Sequence, residues 1–166
     1  MPGEPHCIDA ALFLGMNCEE EPIRLSCKAF VAARFRSRLV LCLEQVGRCD
    51  DLVWGYPRMI QDAYYPFMDA LHTVMDVERP GYTEADLRCG LESPAQLPMH
   101  ERSLLGLVRN RGGSLTTVSP RLLGLENAAV PVHAPEPARG AEPTFPSTLE
   151  RLYQRSLALR IPKDVL

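Results

Sequence analysis

The 166-residue chain lacks the features that mark several common protein classes. No apolar run approaches the roughly 20 residues of a membrane span, and no basic region followed by an apolar signal core begins the chain. We therefore expect a cytoplasmic protein that does not contact membranes. A serine nucleophile elbow and a glycine-rich phosphate loop are absent as well, which removes the signatures of α/β hydrolases and P-loop nucleotide hydrolases.

Closely spaced cysteine pairs of the kind that hold zinc are also missing. The six cysteines are Cys7, Cys18, Cys27, Cys42, Cys49 and Cys89. Four of them stand within apolar or amphipathic stretches, where a free thiol behaves as a small buried hydrophobic group. The sequence therefore predicts reduced core cysteines rather than a disulfide framework.

An excess of positive charge is lacking too. The chain has 18 lysines and arginines against 21 acidic residues, which gives a net charge of −3. Bulk electrostatic attraction to nucleic acid is thus excluded, and binding of phosphate groups would require a local arginine cluster or a metal ion. The apolar share of 46% is normal for a globular protein and indicates one domain with a substantial core.

Two acidic residues stand at or near apolar runs. Asp9 lies in the apolar stretch Cys7–Leu14, and Glu44 follows the apolar stretch Leu39–Leu43. A buried carboxylate without a partner costs several kcal/mol, so such an acid is normally paired, neutralised or bound to a metal. The residues alone leave three interpretations open for each acid, which are a metal ligand, a helix N-cap and a salt-bridge partner.

Predicted strands alternate with predicted helices along the chain. The predicted strands are Cys7–Leu14, Leu39–Leu43, Ser114–Val118 and Ala128–His133. Amphipathic helices are predicted for residues 23–37, 44–52, 58–75, 83–90 and 99–110. This alternation predicts an α/β fold with three layers, α/β/α, and a mostly parallel central sheet, whose ligands bind at the carboxyl ends of its strands.

The C-terminal part has a different composition. Five prolines stand between residues 131 and 146, which predicts a domain over residues 1–133 and a linker over residues 134–146. A tail helix is predicted within residues 147–166, where Ser147 and Glu150 have the spacing of a capping box. The sequence leaves open whether this helix packs on its own domain, exchanges with a second copy in a homo-oligomer, or binds a partner protein.

Several short motifs follow one another in an order that a known nuclease family shares. The first strand leads to an aspartate among small and aliphatic residues, the second leads to an acid that opens a helix, and a third acid begins a later helix. A glycine pair and a short strand then lead to a threonine and to the position where the family has a fourth acid. The residues at these positions are Asp9, Glu44, Glu101, Thr117 and Ser119. In this order and spacing the sequence resembles the PIN-domain nucleases, which include toxin ribonucleases and structure-specific nucleases.

The resemblance implies a PIN-like domain that hydrolyses phosphodiester bonds, most often in RNA. Asp9, Glu44 and Glu101 would be the catalytic residues and would hold Mg²⁺ or Mn²⁺, ions that take carboxylate oxygens as ligands. Arg48 and Arg102 are predicted to bind the nucleic-acid backbone through their guanidinium groups. Thr117 and Ser119 are predicted to contact water or a phosphate.

The sequence also supports a second function. Serine at position 119 cannot carry the charge of the fourth carboxylate, although Asp51, seven residues after Glu44, is a candidate replacement. The alternative is a PIN-like scaffold that has lost catalysis and acts through protein contacts, with the tail helix as its docking element. His100 adjoins Glu101, but neighbouring helical residues point in different directions, so a surface or capping role is predicted for it.

Overall fold

The strands of the protein are short and are separated by helices. A computed structural model describes residues 3–166, so the first two residues of the predicted domain lie outside it. The strands are β1 (His6–Ile8), β2 (Leu39–Val40), β3 (Val77–Glu78), β4 (Ser114–Thr116) and β5 (Val132–His133). The helices are α1 (Ala10–Gly15), α2 (Glu21–Ala33), α3 (Leu43–Trp54), α4 (Arg58–Val74), α5 (Glu84–Leu91), α6 (Met99–Asn110), α7 (Pro120–Leu123) and α8 (Ser147–Ser156), followed by a 3₁₀ turn, Lys163–Val165.

All five strands lie parallel in one sheet, in the order β3-β2-β1-β4-β5. His6 pairs with Leu39 of β2 on one side of β1 and with Ser114 of β4 on the other. The predicted α/β class with a parallel central sheet is therefore confirmed. Because the chain leaves β1 toward β2 and leaves β4 toward β5, the two connections diverge and open a crevice at the carboxyl ends of β1 and β4.

Helices cover both faces of the sheet, which gives the three predicted layers. Successive strand residues point to opposite faces, so Ile8 and Leu39 enter one core while Cys7 and Val40 enter the other. The first core contains apolar residues of α1, α2, α4 and α8, and the second contains those of α6 and α7. This burial on both faces fits the apolar residues Leu39 and Val40 of β2 and Cys7 and Ile8 of β1, which point alternately to the two cores.

The first predicted strand is wrong beyond Ile8. Asp9 has extended backbone angles, and its Oδ1 atom accepts a hydrogen bond of 2.9 Å from the backbone N–H of Leu12, so it caps α1. The apolar run after Asp9 is therefore helical. An apolar run of this length fits a buried strand and a buried helix equally well, and the capping acid decides between them.

Strand β3 was absent from the sequence prediction. Its two residues, Val77 and Glu78, lie between Asp76 and Arg79 and form no apolar run. The strand exists because its backbone pairs with β2, where the N–H of Leu41 donates to the carbonyl of Glu78 at 2.9 Å. Pairing across the sheet, rather than local sequence, defines this strand.

The tail helix packs on its own domain. α8 lies against α4, and the ring of Tyr153 is 5.3 Å from that of Phe67 and 5.8 Å from that of Phe145. Ile161 then pairs with Cys18 in an isolated parallel bridge. The predicted capping box does not form, because Pro146 is the N-cap and the Glu150 carboxylate accepts a hydrogen bond from the backbone N–H of Phe145 instead.

Four charged side chains hold the tail segment to α2, and we refer to them as the tail clasp: Arg24, Lys28, Glu142 and Glu150. Lys28 is fully buried, and its ammonium group lies 2.7 Å from Glu150 and 3.3 Å from Glu142. Arg24 donates to Glu142 at 2.6 Å and to the hydroxyl of Tyr153 at 3.0 Å. Lys28 also lies 4.4 Å from the centre of the Tyr153 ring. Each buried cation therefore has a paired carboxylate.

All six cysteines are free, and five of them are buried. Over residues 3–166, none of the helices is long and apolar enough to cross a membrane.

Candidate functional site

A pocket of about 460 Å³ opens at the carboxyl ends of β1 and β4. This is the crevice where the strand order diverges, which is the usual ligand site of an open parallel sheet. Its polar lining includes Asp9, Gln45, Arg48, Glu101, Ser119 and Arg121. These side chains come from the ends of β1 and β4 and from α3, α6 and α7, so the fold gathers residues that are up to 112 positions apart in sequence.

Asp9 is the most constrained acid of the pocket. The side chain is 3% exposed, and its Oδ2 atom accepts a hydrogen bond of 2.5 Å from the hydroxyl of Thr117. Burial raises the pKa of Asp9 to about 6, although the hydrogen bonds from Thr117 and Leu12 favour the charged form, and the negative charge of Glu101 raises it further. Asp9 is therefore mainly a carboxylate at neutral pH, held in one orientation.

Glu101 faces the same pocket from the first turn of α6. The residue is 5% exposed, and its Oε1 atom accepts a hydrogen bond of 2.9 Å from Nε of Arg121. Its Oε2 atom is buried and has no hydrogen-bond partner among residues 3–166. A buried carboxylate oxygen without a partner is costly, so this atom is available to a ligand.

The structure brings Asp9 and Glu101 to one pocket but does not bring Glu44 there. Glu44 is exposed, and its Oε1 atom accepts a hydrogen bond of 3.2 Å from the hydroxyl of Tyr82. The neighbouring Gln45 faces inward instead, and its Oε1 atom accepts a hydrogen bond of 2.9 Å from the backbone N–H of Ala10. A neutral amide thus occupies the place where the sequence predicted a third carboxylate.

Two predicted substrate-binding residues lie in the pocket and two do not. Arg48 and Ser119 line it, as predicted. Thr117 is fully buried, and its hydroxyl binds Asp9 rather than facing the cavity. Arg102 points away from the pocket and donates to the backbone carbonyl of Leu91 at 2.9 Å. Thr117 is therefore a residue that orients Asp9, while Arg102 ties α6 to the end of α5.

His100 lies in the pocket wall rather than on an exposed surface. Its Nε2 atom is 3.9 Å from Oε1 of Glu101. Burial lowers the pKa of His100 below 6.5, and the positive charge of Arg48 lowers it further, while Glu101 and Glu44 raise it. The neutral imidazole is therefore favoured at neutral pH.

Gln45, Arg121 and Asp164 also line the pocket, although the sequence analysis did not select them. Gln45 and Arg48 are three residues apart on α3, so they share one helix face. With the start of α3 known, this spacing would have indicated that Gln45 faces the pocket together with Arg48. Arg121 belongs to α7, a four-residue helix without an apolar pattern. Asp164 reaches the pocket because the tail folds back, which no local pattern indicates. Asp51, the predicted replacement acid, lines the pocket too.

Two carboxylates of the pocket are candidates for holding a divalent cation. Within residues 3–166, no group of three or more histidine, cysteine, aspartate and glutamate side chains is arranged to hold a metal ion. Mg²⁺ needs fewer, since it commonly binds one or two carboxylates and fills its remaining positions with water and substrate phosphate. Asp9 and the unpartnered Oε2 atom of Glu101 supply those two.

A second cavity of about 850 Å³ lies on the other side of β4, between α2 and the proline-rich segment after β5. Neighbouring strands line it with His6, Ser114, Thr116 and His133, and Arg34, the C-cap of α2, lines it as well. None of the predicted site residues lines this cavity. Those predicted site residues that line a cavity, Asp9, Arg48, Glu101 and Ser119, all line the first pocket.

The fold and the pocket together define a class: a three-layer α/β protein with a parallel sheet and a site of acids and arginines at its switch point. The whole chain, residues 1–166, matches a family of unknown function, DUF6190, and the chain belongs to that family. It matches no curated protein and no solved structure.

Proposed function

We propose that this protein is a PIN-like nuclease of the cytoplasm that hydrolyses phosphodiester bonds in RNA with one Mg²⁺ or Mn²⁺ ion. The ion would be held by Asp9 and Glu101, which narrows the predicted ligand set by leaving out Glu44. The observation that carries the proposal is the pair of buried carboxylates at the switch point of the sheet, one of which has an oxygen without a partner.

The charges in the pocket support phosphodiester chemistry. Asp9 and Glu101 provide oxygen ligands for a hard cation, while Arg48 and Arg121 line the same cavity and can bind phosphate oxygens. When bound, the ion would lower the pKa of a coordinated water and offset the charge that develops at phosphorus. Because the pocket also contains acids, attraction for a phosphate would come from Arg48, Arg121 and the bound ion rather than from the overall charge of −3.

The other residues of the site position these groups. The Thr117 hydroxyl and the N–H of Leu12 hold the two oxygens of Asp9, and Thr117 in turn accepts a hydrogen bond of 2.9 Å from the N–H of Ser119. The neutral His100 beside Glu101 is placed to accept a proton from a water in the pocket. A rigid set of this kind keeps the reacting groups in place before the substrate arrives.

Cleavage of a labelled single-stranded RNA pool with added Mg²⁺ or Mn²⁺ tests the proposal. We expect metal-dependent cleavage by the wild-type chain and loss of at least about 100-fold with Asp9→Asn or Glu101→Gln. Arg151→Gln, which alters an exposed residue of α8, is the matched control and should cleave like the wild type. Full metal-dependent cleavage by Asp9→Asn in a folded protein would contradict the proposal.

One observation favours the second function, a PIN-like scaffold without catalysis that acts through protein contacts. Gln45 and Ser119 occupy two of the four acidic positions, and Arg121 already neutralises Glu101. The tail helix is packed on its own domain, so such contacts would use other surfaces or require α8 to detach. A scaffold should show no rise in thermal stability with millimolar Mg²⁺ or Mn²⁺, whereas a cation-binding nuclease should be stabilised by mass action.

A further inference from the structure

One exposed arginine holds one of the two buried acids of the pocket. The Nε atom of Arg121 lies 2.9 Å from Oε1 of Glu101, with side-chain exposures of 57% and 6%. Arg121 belongs to α7, which directly follows Ser119 and β4. The other oxygen of Glu101 has no partner among residues 3–166. The arginine is therefore attached to the pocket mainly through this single ion pair.

A cation and a guanidinium group compete for the same carboxylate. Glu101 interacts more weakly with a divalent ion while Arg121 neutralises its charge, because the two positive charges repel each other. Arg121 is the mobile member of the pair, since more than half of its side chain is exposed and its stem is flexible. Release of Glu101 would leave the guanidinium at the pocket mouth, without a carboxylate partner and free to bind another anion.

We propose that Arg121 couples cation binding to phosphodiester binding at this site, by exchanging its ion pair with Glu101 for one with a substrate phosphate. This inference rests on the proposed function and names the regulation of the same pocket. Without a phosphodiester, Arg121 stays on Glu101 and weakens the cation site. When a phosphodiester enters, Arg121 binds its anionic oxygen and Glu101 becomes fully available to the ion.

Such an exchange has a thermodynamic signature. If the phosphodiester raises the affinity for the cation by some factor, the cation must raise the affinity for the phosphodiester by the same factor. Arg48 lines the same pocket and is also cationic, but it forms no ion pair with Glu101. Arg48 should therefore strengthen phosphodiester binding without holding back the cation. The two arginines are distinguishable by experiment.

Calorimetric titration of the full chain with Mn²⁺, in the absence and presence of dimethyl phosphate, tests the coupling. For the wild type we expect dimethyl phosphate to tighten Mn²⁺ binding by at least about fivefold, the low end of typical coupling between sites. For Arg121→Gln we expect Mn²⁺ alone to bind at least about fivefold more tightly than to the wild type, with no further gain from dimethyl phosphate. The exposure of Arg121 makes this substitution compatible with folding.

Two control variants separate the ion pair from the loss of a charge. Arg48→Gln removes a positive charge from the same pocket and should weaken dimethyl phosphate binding while raising Mn²⁺ affinity less than Arg121→Gln does. Arg151→Gln removes the same charge from an exposed part of α8 and should leave both affinities unchanged.

The outcomes distinguish this inference from the proposed function. If the wild type binds Mn²⁺ and Arg121→Gln binds it no more tightly, the coupling is overturned while the cation site stands. If neither protein binds Mn²⁺, the proposed function fails and the coupling fails with it. Binding by Arg121→Gln alone would support the coupling, because it would show that Arg121 blocks the site in the free protein.

Discussion

The pocket acids and the tail clasp are two clusters of buried charge within the same small domain, and they are balanced differently. In the clasp, Lys28 lies between Glu142 and Glu150, and Arg24 binds Glu142 as well. In the pocket, Asp9 shares the lining with another acid, Glu101, and no cation among residues 3–166 forms an ion pair with Asp9.

The two clusters respond oppositely to pH. In the clasp, the hydrogen bond from Arg24 lowers the pKa of Glu142, while burial opposes it. Burial also acts to raise the pKa of Glu150, but Lys28 and the N–H of Phe145 outweigh it and lower the value. A lowered pKa contributes stability above the usual glutamate value of 4.5, and that stability is lost as pH falls through the folded-state value.

Asp9 has the reverse effect. Burial raises its pKa from 3.8 to about 6, so the folded state binds a proton more tightly than the unfolded state does between those values. Stability from this residue is therefore present below about pH 4 and is lost as pH rises toward 6. At about 1.4 kcal/mol per pKa unit, the ionised Asp9 costs the folded protein about 3 kcal/mol at neutral pH.

The difference separates a structural cluster from a candidate functional one. The clasp satisfies its charges within the chain and fixes the tail against α2. The pocket keeps a carboxylate that destabilises the folded protein unless something binds it, as expected where activity is maintained against stability. Buried charge that is paired within the chain indicates a structural role, whereas a buried acid with a raised pKa in a pocket is a candidate for a functional one.

The largest expected effect follows from removing the central cation of the clasp. Lys28→Met removes the fully buried cation of the clasp and leaves the half-buried Glu150 without an ion pair, while Glu142 keeps Arg24, so we expect the free energy of unfolding to fall by about 3 kcal/mol. Urea unfolding at pH 7 measures this loss. Lys163→Met is the control, because its pair with Glu20 is exposed and 3.6 Å long, and should change stability by less than about 1 kcal/mol.

A substitution in the pocket is expected to change the free energy of unfolding in the opposite direction. Without metal at pH 7, Asp9→Asn should raise the free energy of unfolding by about 1–3 kcal/mol, because it removes the buried charge and keeps the cap of α1. The gain should shrink as pH falls from 6 and vanish below about pH 3.8, where Asp9 becomes protonated in both states. Urea unfolding at a series of pH values measures it, and a variant less stable than the wild type at pH 7 would contradict the comparison.

A smaller effect tests which residue of α3 faces the site. Gln45→Glu adds a third carboxylate to the pocket and should tighten Mn²⁺ binding by about tenfold, because affinity rises with the number of charged ligands. Glu44→Gln should leave Mn²⁺ affinity unchanged, since that side chain lies outside the pocket. Calorimetric titration of both variants decides the point. Weaker binding with Glu44→Gln would instead support the ligand set that the sequence predicts.

Sequence patterns predicted most of the fold because its long helices have an apolar periodicity and its central strands lie within short apolar or β-branched runs. Helix α6 begins and ends where the pattern places it, and α4 differs by one residue at its C-terminus. Strand β3 and the position of the tail were beyond reach, since both depend on contacts between distant segments. The overextended first strand has a local cause, because Asp9 directly follows β1 and caps α1, so the apolar run continues from a strand into a helix.

The candidate site was predicted only in part, because some of its residues have a local sequence signal and others depend on contacts between distant segments. Asp9 and Glu101 stand at element ends, where strand and helix signals coincide, and the structure brings them together. Glu44 and Gln45 are adjacent, so a small error in where α3 starts decides which one is taken as facing the site. Arg121 lacked any signal, because its role depends on an ion pair across 20 residues of chain.

Thermal unfolding at pH 7 with and without millimolar Mn²⁺ tests most directly whether Asp9 and Glu101 form a cation site. For the wild type we expect a rise in Tm of about 5 °C or more, since an ion at 100 times its Kd adds about 2.7 kcal/mol. The Asp9→Asn protein should start from a higher Tm, and Mn²⁺ should raise that Tm by no more than the experimental scatter. The Arg151→Gln control, whose Mn²⁺ shift should equal that of the wild type, measures this scatter. Equal Mn²⁺ shifts for the wild type and Asp9→Asn would contradict the account.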